Sequence, residues 1–201
     1  MNDKQRARAQ WHDSRYLDRH RSVLARVFAE GAIVEDVPLQ GLTVGDASPA
    51  GLVHVGLYKR PVRRSDFSFS RFESAFVESE LVDSLFRRCD FIGSSFQKAR
   101  ISRIDFSGCL FHACSFLDAT VANSSFLNSQ FEDRRGLGSR LLRAAFEGCD
   151  FSGVQFKATE FRAARFVGCQ FSGTTFHNCD LRGARFSGTA PADDQYHGCS
   201  R

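Results

Sequence analysis

The chain's 201 residues suffice for one domain with a full core and fall short of two ordinary ones. Its 21 phenylalanines stand against one methionine, one tryptophan and four prolines, a bias that asks for one shape repeated rather than a mixed core. The net charge of +4 resides wholly in residues 1–65, with eleven Lys or Arg against seven Asp or Glu; the rest holds sixteen of each, which argues against nucleic-acid binding by bulk charge there.

In chain order, the opening "MNDKQRARAQWHDSRY" lacks the apolar centre of a secretory signal, and no apolar run is long enough to cross a bilayer. A cytoplasmic protein with free thiols and no membrane association is therefore expected. Residues 4–30 read as a helix: Leu17, Leu24 and Phe28, with His20, Val23 and Val27, make one apolar-leaning stripe, and Gly31 is a plausible stop. We expect residues 1–49 to form a helix and capping segment over the open end of the domain that begins near residue 50. The same stripe would also suit a partner or a second copy in a dimer. Direct nucleic-acid binding through Lys4, Arg6, Arg8, Arg15, Arg19 and Arg21 is not expected, because Asp3, Asp13 and Asp18 interleave with them.

From about residue 50 the pattern changes. Leu52, Leu57, Val62, Phe67 and Phe72 step by five, and after a slip of one residue the series resumes at Phe76, Leu81, Phe86, Phe91 and Phe96. It runs on to Phe131, and then from Leu141 to Phe186. The residue two before each is small, as in Ser74, Ser79, Cys89, Ala144 and Thr159. No helix keeps a five-residue step on one face. Leu81, Ile101, Val121, Leu141 and Leu181 replace phenylalanine at multiples of twenty, so every fourth repeat meets the same surroundings. That predicts a square coil of four five-residue sides. About seven coils at ~4.8 Å give a rod of roughly 34 Å. Each buried ring contributes about 1.5–3 kcal/mol by area, and ring geometry adds about 0.5–1.5.

The segment "FEDRRGLGSRLL", residues 131–142, breaks the pattern by placing Arg134 at a small inward position and Gly136 at a large one. A charge in that interior is costly, which predicts a bulge over residues 133–140 with Leu137 turned inward. Since Leu141 rejoins the aliphatic series, the coil is expected to keep its length. Loops leaving a rigid scaffold often carry function, so Arg134, Arg135, Leu137, Arg140 and Arg143 are the candidate partner contacts. Residues 50–190 are read as the repeat domain and residues 191–201 as a short flexible tail.

No catalytic arrangement emerges. Cys89, Cys109, Cys149 and Cys169 fall on one twenty-residue series of small inward positions, as core packing requires. In "CLFHAC" the fold reading turns Cys109 and Cys114 inward and His112 outward, which removes them as a metal set. Glycines such as Gly93, Gly148 and Gly183 lie two after a large residue, at corners, and not in a phosphate cradle. Neither enzyme activity, cofactor nor metal is expected. At the surface, Glu78, Lys98 and Asp118, Glu80 with Arg100, Asp83 with Arg103, and Arg140 with Glu160 are expected to form charge ladders.

The small–polar–Phe/Leu pattern over residues 50–190 closely resembles the pentapeptide-repeat family. The resemblance implies a right-handed quadrilateral β-helix, an all-β solenoid, here with an N-terminal α-helical cap. It also implies a non-catalytic protein–protein interaction module, which we expect to act through its flat faces and the 133–140 bulge. One branch of the family mimics duplex DNA, binds DNA gyrase and topoisomerase IV, and protects them from quinolones or toxins. That antibiotic-resistance role is the alternative here, ranked second because a phosphate mimic needs an acidic surface while this rod is neutral and its interruption basic. Some members dimerise through C-terminal helices, for which residues 191–201 are too short and broken.

Overall fold

Stacked five-residue sides build this chain. The computed structural model describes residues 1–132 and 138–201. They form a parallel β-solenoid of about seven turns with a short N-terminal helical segment. Two opposite sides are parallel sheets, each of eight short strands among the described residues. The first sheet runs through Val34, Val62, Leu81, Ile101, Val121, Phe146, Phe166 and Phe186. The second runs through Val44, Phe72, Phe91, Phe111, Phe131, Phe156, Phe176 and Tyr196. Single bridges join the other two sides, through Asp66, Leu85, Asp105, Ser125 and Asp150 on one and Ser95, Ser115, Arg140, Glu160 and Asp180 on the other.

The interior follows from the repeat. From Phe67 to Phe131 and from Leu141 to Leu181 each large residue is buried, and rings stack on those of the next coil: Phe91 on Phe111 at 5.0 Å, Phe111 on Phe131 at 4.4 Å, Phe96 on Phe116 at 4.6 Å. Rings on adjoining sides meet edge to face, as Phe91 and Phe96 do, which suits their quadrupoles. Serine serves at the small position because its hydroxyl finds two backbone partners. Ser129 Oγ donates to Phe106 O at 2.7 Å and accepts from Cys109 N at 3.0 Å. No buried side-chain polar atom lacks a partner among the described residues. The corner position two after the large residue is left-handed, at φ 59° for Gly93 and 54° for Lys98. Glycine takes that conformation without strain, whereas lysine holds it against a steric cost set by the neighbouring ladders.

Three expectations are corrected. The coil containing residues 133–137 is longer than its neighbours: Phe131 pairs with Phe156 and Val121 with Phe146, a step of twenty-five instead of twenty. Leu141 therefore does not continue the series of Leu81, Ile101 and Val121. It lies on the side of Phe116 and Phe161, where Phe116 N donates to Arg140 O and Leu141 N to Glu160 O. The coil keeps four sides but spends five residues more, so every later column is displaced by one face in the five-residue count. The cysteine series splits for the same reason. Cys89 and Cys109 lie behind the second sheet, above Ser129, while Cys149 and Cys169 follow Ser124 on the adjoining side.

The ladders also extend past the expected limits. They start at Val34, well before residue 50, and end at Tyr196 and His197, inside the expected tail. Tyr196 stacks on Phe176 at 5.0 Å, so aromatic packing continues where the repeat loses its phenylalanine. The slip near residue 72 is a shortened coil, since Val62 pairs with Leu81.

The single helix read over 4–30 is two: α1, Asp3–Ala9, and α2, Ser14–Val27, joined by one 3-10 turn. Asp13 is extended and caps α2, accepting from Arg15 N and Tyr16 N. The break lets Trp11 enter the core, 1% exposed, with its indole N–H on Gln40 O at 2.8 Å. Arg60 donates to Val27 O and Phe28 O, satisfying carbonyls at the end of α2. Lys4 and Arg8 both bind Asp90, and Leu24 and Val27 join the rod's core. No described helix is long and apolar enough to cross a membrane.

Candidate interaction surface

The outward side chains of the first sheet decide what that face can bind. Strands present alternate residues outward, and here those are large at both ends and small in the middle: Ser102, Thr120, Ala122 and Ala145. Behind them Ile101 and Val121 stand where most other positions have phenylalanine, each 2% exposed. Small outer and slimmer inner side chains together leave a recess of about 490 Å³. Val82 and Val167 flank its floor, and Val167 is 48% exposed.

Charge surrounds this floor unevenly. Arg100, Arg165 and Arg185 are exposed on the face, and none has a carboxylate partner among the described ion pairs. Arg100 and Arg165 line the recess itself. Arg165 and Arg185 are register partners on adjacent strands, one above the other. Beside them lies a notch of about 320 Å³ lined by Arg143, Ala163, Arg165, Gly183 and Arg185. It exists because the corner holding Arg143 in one coil holds only Ala163 and Gly183 in the next two, both left-handed at φ 57° and 72°.

Elsewhere many charges are paired, though often with other partners than spacing predicts. Asp83 and Arg103 do pair, Oδ2 accepting from Nη2 at 2.9 Å. Glu80 binds Arg63 at 3.0 Å instead of its register partner Arg100. Glu160 binds Arg162 at 3.3 Å, while Arg140 is its neighbour in register. Glu78 binds Lys59, and Asp118 binds Arg143, leaving Lys98 outside that ladder's close pairs. Corner side chains reach diagonally, so spacing alone names the neighbour and not the bond.

Of the candidate contacts, Arg134, Arg135 and Leu137 lie outside the described residues. Arg140 is exposed on the side opposite the Asp105 column, bridging in register between Ser115 and Glu160. Arg143 is exposed and gripped by Asp118 through two bonds of 2.7 and 2.8 Å. Those bonds hold the Asp118 carboxyl below the usual carboxylate range. The structure thus brings Arg143 to Arg165 and Arg185, two residues not among the candidates. The twenty-residue period, applied to charged positions, would have found the stacked pair.

Six of the seven thiols are interior groups, and Cys199 is half-buried. Burial pushes Cys114 and Cys179 up to about 12, so both stay protonated near neutrality and are poor nucleophiles. No three His, Cys, Asp or Glu side chains converge as a metal site among the described residues.

A neutral-cored square rod of five-residue sides, with one apolar-floored face, defines a repeat scaffold rather than a pocketed globule. Two family models match it: pentapeptide repeats in nine copies over residues 76–120, and a pentapeptide repeat region over residues 139–200. Together they span more than half of the chain, which belongs to the pentapeptide-repeat family. No curated protein matches it in sequence. Among solved structures it is similar to trypsin-treated QnrB1, a plasmid-mediated fluoroquinolone resistance protein, at 18% identity over 84% of this chain and 81% of that one, TM-score 0.48. It is similar also to HetL, a pentapeptide repeat protein involved in heterocyst differentiation regulation in the cyanobacterium Nostoc, at 13% identity over 94% of both chains, TM-score 0.43. A third similar structure is a pentapeptide repeat protein of the Arabidopsis thaliana thylakoid lumen, at 21% identity over 52% of this chain and 69% of that one, TM-score 0.39.

Proposed function

We propose that this chain is a non-catalytic rod that binds a protein partner through its flat faces and the 133–140 segment, with the first sheet as the principal contact and Arg140 and Arg143 contributing to it. The recess supports this reading: an apolar floor of Ala122, Ala145 and Val167 on a rod whose other charges are largely paired. Burying such a floor gives the non-directional part of an interface, and the arginines around it give orientation. A duplex-DNA mimic that binds gyrase would present unpaired carboxylates. Here Asp83, Asp105, Asp118 and Asp180 are each matched by an arginine, so that alternative is not adopted.

The test uses two baits, the wild-type chain and Ala122→Arg, which fills the recess. A partner retained by the first is purified and its affinity measured for both. Binding weakened at least tenfold in Ala122→Arg, with an unchanged melting temperature, supports the reading; equal affinity sinks it. Supercoiling by purified gyrase, titrated with the wild-type chain, should be unaffected, and inhibition would restore the mimic.

A further inference from the structure

The geometry points to the chemistry of the partner: an extended acidic segment of a protein, laid along the rod over the first sheet with its carboxylates on Arg100, Arg165 and Arg185. This rests on the docking reading above and deepens it.

The stacked pair is the central observation. Arg165 and Arg185 face each other across a parallel ladder, where like charges destabilise. Elsewhere on the rod an arginine commonly meets a carboxylate from a neighbouring coil, as Arg103 meets Asp83, Arg143 meets Asp118 and Arg64 meets Asp36. At this corner the local acids are engaged: Asp180 binds Arg162 and Arg182, Glu160 binds Arg162, and Asp118 holds Arg143. Beneath the pair in register is Ala145, not an acid. Glu147 is the one carboxylate facing that half of the recess, and it lies in the row of Ala122 and Val167 rather than that of the arginines. Three guanidiniums thus border one notch, and its Ala163 and Gly183 wall leaves room for a carboxylate between them.

Spacing then selects the form of the segment. Along the rod the outward row reads Glu80, Arg100, Thr120, Ala145, Arg165, Arg185. Arg100 and Arg165 are three rungs apart, about 14 Å at the spacing of paired strands. An extended chain covers that in about four residues, and positions i and i+4 face the same way in its period of two. Thr120 and Ala145 are small, so nothing blocks the path between them. Carboxylates at i and i+4, with a third at i+6 toward Arg185, match the row, and a small apolar residue at i+2, facing the same way, matches the floor.

The test is fluorescence anisotropy with the full chain and a labelled heptapeptide, Glu-Ser-Val-Ser-Glu-Ser-Glu, whose valine shares the face of the three glutamates. Its controls are the same peptide with Gln for each Glu and a 12-base-pair duplex of mixed sequence. Saturable binding of the acidic peptide is expected, with none of the Gln peptide at the same concentrations. Arg165→Glu combined with Arg185→Glu should weaken it at least tenfold, and Arg165→Gln with Arg185→Gln by a smaller factor. Both positions are exposed, and circular dichroism checks that each variant folds. No binding of the acidic peptide, or binding indifferent to the arginine variants, overturns the inference. If Ala122→Arg abolishes capture of the natural partner while the arginine variants keep it, the docking face survives and the acidic partner does not. Tighter binding of the duplex with the same arginine dependence would assign the row to a phosphate backbone and overturn it as well.

Discussion

Val121 pairs in register with Phe146, not with Leu141, and this one pairing fixes the architecture of the second half of the rod. Between them the coil spends one pentapeptide more than any twenty-residue turn. The flanking residues already make a complete side without it: Glu132 outward, Gly138 left-handed at φ 59°, Ser139 buried, Arg140 exposed and Leu141 buried. Deleting residues 133–137 should therefore leave the ladders closed. The shortened chain is expected to keep its β-sheet circular dichroism and to melt within a few degrees of the full chain. Failure to fold would mean that the added pentapeptide is part of the scaffold.

The ring columns predict where the rod is weakest to truncation. Phe111 is 0% exposed, stacks between Phe91 and Phe131, and meets three further rings edge-on. Phe111→Ala should cost about 3–5 kcal/mol, because neighbouring coils are pinned by their hydrogen bonds and cannot collapse into the gap. Phe186, half-buried on the last strand of its sheet, should cost distinctly less. Urea unfolding of the two variants measures the difference. Equal losses would show that the coils do not stack as near-independent units.

The period of five, the inward small residue and the left-handed corner are all legible in the sequence because each is a local demand repeated many times. What is not legible depends on counting across an interruption. Leu141 fits two columns equally well as an aliphatic residue, and only the strand pairing shows that it stacks with Phe116 and Phe161. Trp11 is hidden for a different reason: its neighbours favour helix, and the cap at Asp13 that turns it inward wins through burial rather than local propensity. The Arg165 and Arg185 pair is within reach of the sequence, twenty residues apart in an unbroken stretch. Nothing local marks it, since a break in a repeat stands out and an uninterrupted face does not.

Acid should loosen the rod through its surface carboxylates. Hydrogen bonds from Arg182 hold the Asp180 carboxyl down to about 2, and bonds from Arg103 and Arg143 lower Asp83 and Asp118. In the unfolded chain these groups titrate near ~3.9. Their contribution is thus complete above about pH 4–5 and is lost as the pH falls toward the folded values, because the unfolded state takes up protons first. The urea midpoint should be level from pH 7 to 5 and drop between about pH 4 and 2. Asp180→Asn should flatten part of that drop, and an unchanged slope would remove Asp180 as a contributor.

The seven cysteines should divide by position rather than by sequence context. Six are buried and Cys199 alone is half-buried, on the last coil, where its Sγ accepts from Cys179 N at 3.4 Å. Burial pushes Cys114 and Cys179 up to about 12 and raises Cys109 as well, so little thiolate forms at these three positions at pH 8. Because the other six are buried, a disulfide reagent added to the native protein at that pH should modify one thiol quickly, and all seven only after denaturation. Cys199→Ser should abolish the fast phase. If two thiols react at the rate of coil opening instead, the last coil unravels as a unit, carrying Cys179 with it. The ladder from Phe176 to Tyr196 is then the least stable rung of the rod.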